Sequence, residues 1–170
     1  MSNNKTIIIN DKHTADVFAI KKENRIRVGA IGLEYENIQT LEMIMSTDAP
    51  QNNKYNEHVR IALERKLTGY KQQDMKKKMF NSLTMISFQE AKQKLIDCKL
   101  LCHYCIKPVK IIYRIVRDPL QWTLDRIDNK KNHSNVNTII SCLSCNLKRR
   151  NINKDRFEFS QNITIVKVGI

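Results

Sequence analysis

Apolar positions change their spacing along the chain, and the change divides the sequence into three parts. In the first part, residues 6–9 predict a strand, residues 25–31 alternate as a strand does, and apolar positions 38, 41, 44 and 45 predict a helix. Residues 48–53 combine a proline with small polar side chains, a composition typical of a linker. Residues 1–50 are therefore predicted to form a small mixed α/β segment.

The second part, residues 54–98, is predicted to be a basic helical segment. Apolar side chains recur at helical spacing from Val59 to Tyr70, and Gly69 predicts a break or bend in that helix. Its other face is crowded with positive charge, and the residues concerned are Arg60, Arg65, Lys66, Lys71, Lys76, Lys77 and Lys78. Two interpretations stay open, a solvated helix face and a surface that contacts phosphates.

A capping signal marks a second helix in this part. Ser87 is followed three residues later by Glu90, the spacing of a capping box in which each side chain satisfies a backbone amide of the other residue. The helix is predicted to run to about residue 97. Ala91, Leu95 and Cys98 share one face of it, so Cys98 is predicted to be a small buried side chain rather than a metal ligand.

The third part, residues 99–170, carries strand and helix signals in a fixed order. The β-branched run at 110–116 and the alternating run at 122–128 predict a β-hairpin. Residues 146–151 predict a helix with dense positive charge, and residues 157–168 alternate as a further strand does. Together with the preceding helices, this order predicts an α+β fold.

The net charge of the chain indicates which class of partner it binds. Thirty Lys and Arg residues against 17 Asp and Glu residues leave a net charge of +13, which favours a polyanion. Nucleic acid is the predicted partner, with an acidic membrane surface or a ribosome-like assembly as alternatives. Residues 1–10 lack a signal-peptide core, and no apolar run reaches the roughly 18 residues of a membrane helix. We therefore expect an intracellular protein in a reducing compartment, without membrane insertion.

Four of the five cysteines form two Cys-x-x-Cys pairs. Cys102 and Cys105 make the first pair, Cys142 and Cys145 make the second, and 36 residues separate the pairs. Each pair can wrap one side of a tetrahedral zinc ion, and four thiolates leave no open position for water. The sequence therefore predicts a structural zinc site, with His103 as a possible substitute ligand.

Polar residues around the cysteine pairs resemble the signature of the HNH (ββα-metal) endonucleases. They are Asp125 on the strand, Asn137 before Cys142, and Asn146 directly after Cys145. The match covers residues 101–151. More narrowly, residues 121–129 with His133, and residues 141–150, resemble HNH-like proteins of large nucleocytoplasmic DNA viruses. That similarity extends to residues 69–74 and 157–167.

The resemblance implies a treble-clef, or ββα-metal, zinc module with a second metal site. Asp125 and Asn146 would hold one magnesium or manganese ion, and Asn137 would orient the loop that carries the catalytic base. Phosphates would be bound by basic residues on either side of the metal. The candidates are Lys76, Lys77, Lys78, Lys148, Arg149 and Arg150.

The chain departs from the HNH pattern at the position of the base. Arg126 stands where the family has histidine, and a guanidinium stays protonated, so it can bind a phosphate but cannot accept a proton from water. His133 and Asp128 are the possible replacements. An alternative is that Arg126 binds phosphate or pairs with Asp128, in a domain that keeps the scaffold without turnover.

Two functions of different class follow from these residues. The first is a divalent-metal-dependent DNA endonuclease, with RNA as a second possible substrate. The second is a catalytically degenerate protein that binds nucleic acid or serves as a virion or genome-packaging component. A third, weaker hypothesis is a transcription-associated zinc module that binds another protein. A viral protein of either main kind would work in the host cytoplasm, in a viral factory or in the virion.

Overall fold

The structure is a computed structural model, and it describes residues 37–46 and 54–161. The strands predicted at 6–9 and 25–31, and the linker at 48–53, lie outside the described residues. The described elements form a mixed α+β fold. In chain order they are α1 (Asn37–Ser46), α2 (Lys54–Lys76), α3 (Phe88–Asp97), β1 (Trp122–Arg126), β2 (Thr138–Cys142), α4 (Leu143–Arg149) and α5 (Lys154–Gln161).

Helices α1 to α3 form where the spacing of apolar positions predicts helices. Ile44 of α1 and both Val59 and Leu63 of α2 are fully buried in one core. Helix α2 runs through Gly69 without ending, so the predicted break there is wrong. None of the helices in the described part of the chain combines the length and the apolar character needed to cross a bilayer.

The capping box at the start of α3 is confirmed. The Glu90 amide donates to the Ser87 hydroxyl at 3.2 Å, and the Ser87 amide donates to the Glu90 carboxylate at 2.8 Å. Ala91 and Leu95 are fully buried, and Cys98 packs half-buried against the same core. Local sequence was sufficient here because both capping partners lie within one helical turn.

The two-stranded sheet differs from the predicted hairpin. Strand β1 pairs with β2 in antiparallel register, from Trp122 opposite Cys142 to Arg126 opposite Thr138. The pairing of 110–116 with 122–128 is therefore wrong, and only Lys110 forms a single bridge, to Gln121. The intervening loop turns instead on Asp118, whose carboxylate accepts the Leu120 amide at 2.8 Å. The apolar run at 110–116 thus supplies buried side chains to the core from a loop.

The last two helices also differ from the elements predicted from the sequence. Helix α4 begins at Leu143, earlier than the predicted residue 146, because Cys142 caps it through a bond from the Cys145 amide to its sulfur. Helix α5 occupies residues that were predicted to start a strand at 157. The Asn153 side chain accepts the Asp155 amide at 2.9 Å, which starts this helix. The rest of the predicted strand, 162–168, lies outside the described residues.

Candidate metal centre and adjoining cleft

Two tight turns bring the four paired cysteines together. The sulfur atoms of Cys102, Cys105, Cys142 and Cys145 all lie within 4.8 Å of one another. In the first turn, the Ile106 amide donates to the Cys102 carbonyl at 2.9 Å, and Ile106 adopts a left-handed φ of 56°. The second turn joins the end of β2 to the first turn of α4. The cluster therefore ties the loop after α3 to the strand and helix that follow.

The donor set fits a zinc ion. A Zn–S distance of about 2.3 Å in a tetrahedron puts sulfur atoms about 3.8 Å apart, and the Cys105 and Cys142 sulfurs are 3.9 Å apart. His103 lies outside the cluster, since its Nε2 is 3.4 Å from a carboxylate oxygen of Glu158. The four-cysteine cluster can thus hold a metal ion such as zinc, with Cys98 outside it.

The cysteines of the cluster differ in pKa. The hydrogen bond from Cys142 lowers the pKa of Cys102, and the same bond raises the pKa of Cys142. Burial raises the pKa of Cys145 to about 12. Zinc must displace these protons, so metal binding at this cluster is expected to weaken as the pH falls.

A cleft of about 370 Å³ lies between α2, β1 and α4. Four of the predicted site residues line it together, namely Asp125, Arg126, His133 and Asn146. Gly69 of α2 also lines it, and a Cβ atom there would meet no atom within 4 Å. Asp128 does not line the cleft, so of the two candidate bases only His133 reaches it.

A buried aspartate holds His133. The imidazole Nδ1 is 2.7 Å from Asp74 Oδ1, and the His133 amide donates to Asp74 Oδ2 at 2.8 Å. Tyr70 packs its ring 4.6 Å from the imidazole. Burial lowers the pKa of His133, while the charge of Asp74 acts in the opposite direction. A neutral imidazole that donates from Nδ1 to this carboxylate keeps the Nε2 lone pair for another proton.

Sequence reasoning missed Asp74 as a site residue, although a signal was present. Asp74 lies four residues after Tyr70, on the continuation of the apolar stripe of α2, and its side chain is fully buried. A carboxylate at a core position needs a partner. The partner could not be named from the sequence, because His133 lies 59 residues further along the chain.

Arg126 is a buried structural cation at the wall of the cleft. Its Nη1 donates to the Lys131 carbonyl at 3.1 Å and lies 4.0 Å from Asp74 Oδ1. The hypothesis that Arg126 pairs with Asp128 is wrong, since the acidic partner of Arg126 is Asp74 and Asp128 lies 3.9 Å from the Lys131 ammonium. Arg126 therefore helps to hold the loop that carries His133.

Asn137 closes that same loop. Its Oδ1 accepts the Asp128 amide at 2.9 Å, and its Nδ2 donates to the carbonyls of Asp128 at 3.0 Å and Asn132 at 2.9 Å. The asparagine thus pins both ends of a turn that ends immediately before His133. This geometry is what a loop-orienting asparagine requires.

Asp125 is almost fully buried, and two donors share one of its oxygens. Tyr104 Oη donates to Oδ2 at 2.6 Å, and Arg149 Nε donates to the same atom at 2.7 Å. Arg149 also donates to the carbonyls of Ile152, at 2.6 Å, and Arg126. The prediction that Arg149 contacts phosphates at the surface is wrong, because its side chain is only 1% exposed. The other five predicted phosphate contacts, Lys76, Lys77, Lys78, Lys148 and Arg150, are exposed.

Two oxygen atoms in the cleft have the chemistry that magnesium prefers. Within the described residues no donor reaches Oδ1 of Asp125, the oxygen that Tyr104 and Arg149 leave unused. Asn146 donates from Nδ2 to the Thr123 hydroxyl at 3.0 Å, and its amide oxygen takes no part in that hydrogen bond. Magnesium commonly uses one or two protein oxygens and keeps several waters, and Asp125 and Asn146 are residue types that can supply such oxygens.

Comparison with known proteins identifies no relative of the chain, since no protein-family model, no curated protein and no solved structure matches it.

Proposed function

We propose that this chain is an HNH-type, divalent-metal-dependent nuclease that hydrolyses phosphodiester bonds in DNA. The observation that carries the proposal is the cleft that Asp125, His133 and Asn146 line together. The order β1, loop, β2, α4 supports it, because this is the order of a ββα-metal module around a four-cysteine zinc site. The treble-clef arrangement of the zinc turns is part of the same proposal.

His133 is the proposed general base. Its Nε2 accepts the proton of the attacking water, and Asp74 holds the ring through Nδ1 and stabilises the imidazolium that forms. Asn137 keeps the loop in position, and Arg126 lies at the cleft wall, where its charge attracts a phosphate. In this scheme the histidine replaces the base that Arg126 cannot supply.

Asp125 and Asn146 would hold the magnesium or manganese ion, which, when bound, stabilises negative charge on the leaving oxygen. The zinc is structural. Cys142 caps α4, Cys145 lies in its first turn and Asn146 is the next residue, so zinc binding fixes where Asn146 lies. The net charge of +13 supplies the attraction for DNA, and RNA is the alternative substrate.

One observation favours the second candidate, a nucleic-acid-binding or packaging protein without turnover. Arg149 and Tyr104 already neutralise and satisfy one oxygen of Asp125. A carboxylate whose charge is paired binds a divalent cation less strongly than a free one. In such a protein the Arg149–Asp125 pair would serve stability, and the exposed lysines would serve binding.

Nicking of supercoiled plasmid by the zinc-loaded full chain, with magnesium or manganese, tests the proposal. We expect His133→Gln to slow nicking at least about 100-fold, the usual contribution of a general base, and Asp125→Asn to abolish it. His58→Gln is the matched control, because His58 lies on α2 and outside the residues that line the cleft. A single-stranded RNA substrate in parallel distinguishes the two nucleic acids.

Two results would decide against the proposed nuclease. If the folded, zinc-loaded wild type binds DNA but nicks it with neither metal, the second candidate, a binding protein without turnover, is favoured. Nicking that survives both His133→Gln and Asp125→Asn would show that the cleft is not the site of hydrolysis.

A further inference from the structure

A second concave surface adjoins the cleft at α4. This groove measures about 660 Å³. Three cations line it, Arg117, Lys148 and Arg150, and its floor includes the apolar side chains of Leu143, Leu147 and Ile152. The residues that line it include no acidic side chain, so the groove has the charge of a site for an anion.

The three cations are available to a ligand. Within residues 37–46 and 54–161, none of their side chains forms an ion pair or a hydrogen bond, and all three are exposed. Arg117 and Arg150 also occupy left-handed backbone positions, with φ values of 65° and 49°, where glycine would be favoured. The amide of Ser144 donates to the Pro119 carbonyl at 3.0 Å, which fixes the Arg117 loop against α4.

The floor of the groove is unusual for a surface that contacts only phosphates. Leu147 is 48% exposed and Ile152 is 47% exposed, and both lie among the cations. A DNA duplex presents its charged backbone and keeps the base faces stacked inside. An unpaired strand, in contrast, presents phosphates and base faces together.

The groove adjoins the cleft. Leu143 and Leu147 line both of them, so the two concave surfaces meet at α4. We propose that the groove binds a single-stranded segment of nucleic acid that continues from the phosphate in the cleft. The cations contact its phosphates, and Leu147 and Ile152 pack against its bases. The choice of nucleic acid over other polyanions rests on the proposed function.

Fluorescence anisotropy of a labelled single strand, and of a duplex of the same sequence, tests the inference. The zinc-loaded full chain is used without added magnesium or manganese, so that binding is measured apart from hydrolysis. We expect Arg117→Gln to reduce the salt slope by about 0.7, which at 0.1 M salt corresponds to about a fivefold loss of affinity. Arg114→Gln, three residues earlier in the same loop and outside the groove, is the matched control.

The apolar floor is tested by Ile152→Ser against Leu83→Ser. Leu83 is 93% exposed and lies outside the groove, so it carries the same chemical change without the same contact. We expect Ile152→Ser, which removes apolar area that a base would cover, to weaken single-strand binding about fivefold and to leave duplex binding unchanged.

Three outcomes would overturn the inference. Groove variants that bind the single strand as their controls do would remove the site. An equal loss of single-strand and duplex binding in Ile152→Ser would indicate a duplex surface. Displacement of the strand by polyglutamate at a lower concentration than by unlabelled DNA would indicate an acidic protein partner. If the wild type nicks DNA and the groove variants bind the single strand normally, only this inference is rejected. If the groove variants lose single-strand binding and the wild type does not nick DNA, only the proposed nuclease is rejected.

Discussion

Replacing Arg149 by methionine would leave the buried carboxylate of Asp125 without its cationic partner. The two side chains are 1% and 4% exposed, and their ion pair measures 2.7 Å. Removing one partner of a buried pair costs about 3–5 kcal/mol. That loss is large compared with the roughly 5–15 kcal/mol that stabilises a typical domain. For a chain of this size it corresponds to a fall in Tm of about 6–20 °C.

Thermal unfolding followed by circular dichroism measures this effect. Lys148→Met is the control, because Lys148 is the preceding residue of α4 and is exposed, and its change should stay within about 0.5 kcal/mol. Adding Asp125→Asn to Arg149→Met removes the stranded charge, so the double variant should be more stable than Arg149→Met alone. Equal Tm values for Arg149→Met and Lys148→Met would refute the reasoning.

The same variant separates the two candidate functions. If Asp125 binds magnesium, the ion replaces the missing positive charge, and magnesium at about 100 times its Kd adds about 2.7 kcal/mol. Magnesium should then raise the Tm of Arg149→Met more than that of the wild type, and Asp125→Asn should remove the effect. A Tm that does not respond to magnesium in any variant would favour the binding protein.

Three further predictions concern the zinc site, the base and the strained arginine. Cys105→Ser should abolish stoichiometric zinc and lower the Tm, because structural zinc contributes about 10–16 kcal/mol in finger peptides, whereas Cys98→Ser should retain the metal in elemental analysis. Asp74→Asn removes a charge that raises the pKa of His133, so the acid limb of the nicking rate should move to lower pH, and a limb that moves to higher pH would contradict the pairing. Arg150→Gly should raise stability by about 1 kcal/mol by relieving the left-handed backbone. Lys99→Gly, also at a positive φ but outside the groove and the predicted phosphate contacts, should do the same without the accompanying loss of single-strand affinity.

Features that depend on neighbours within one helical turn could be predicted from the sequence. The Cys-x-x-Cys pairs and the capping box at Ser87 are of this kind, and so is the stripe from Val59 to Tyr70. In each case both partners of the interaction lie within four residues. The cluster of four cysteines was predicted because thiolate spacing indicates metal binding wherever the pairs lie in the fold.

Features that depend on distant partners could not be predicted. The run at 110–116 has strand-forming residues, but strand formation requires a second chain segment, and β1 pairs with β2 instead. Helix α5 is a local feature that was missed for a different reason, because the alternation of Phe157 and Phe159 suits a strand. Asn153 and the Lys154–Glu158 ion pair of 2.8 Å favour a helix, and those local signals were the better guide. Tyr104 and Arg149 meet Asp125 across more than 20 residues of chain, which no spacing rule reveals.

The position of Trp122 gives this protein an intrinsic optical probe. It is the only tryptophan in the sequence, it is fully buried on β1, and the ammonium of Lys66 lies 5.2 Å from its ring. Its neighbour Thr123 and the side chain of Lys66 both line the cleft. Every change in tryptophan emission therefore reports on the surroundings of Trp122, which is buried next to residues that line the cleft. Tryptophan emission can therefore be used to follow unfolding, metal addition and oligonucleotide binding on unlabelled protein, with each change in emission assigned to one residue of β1.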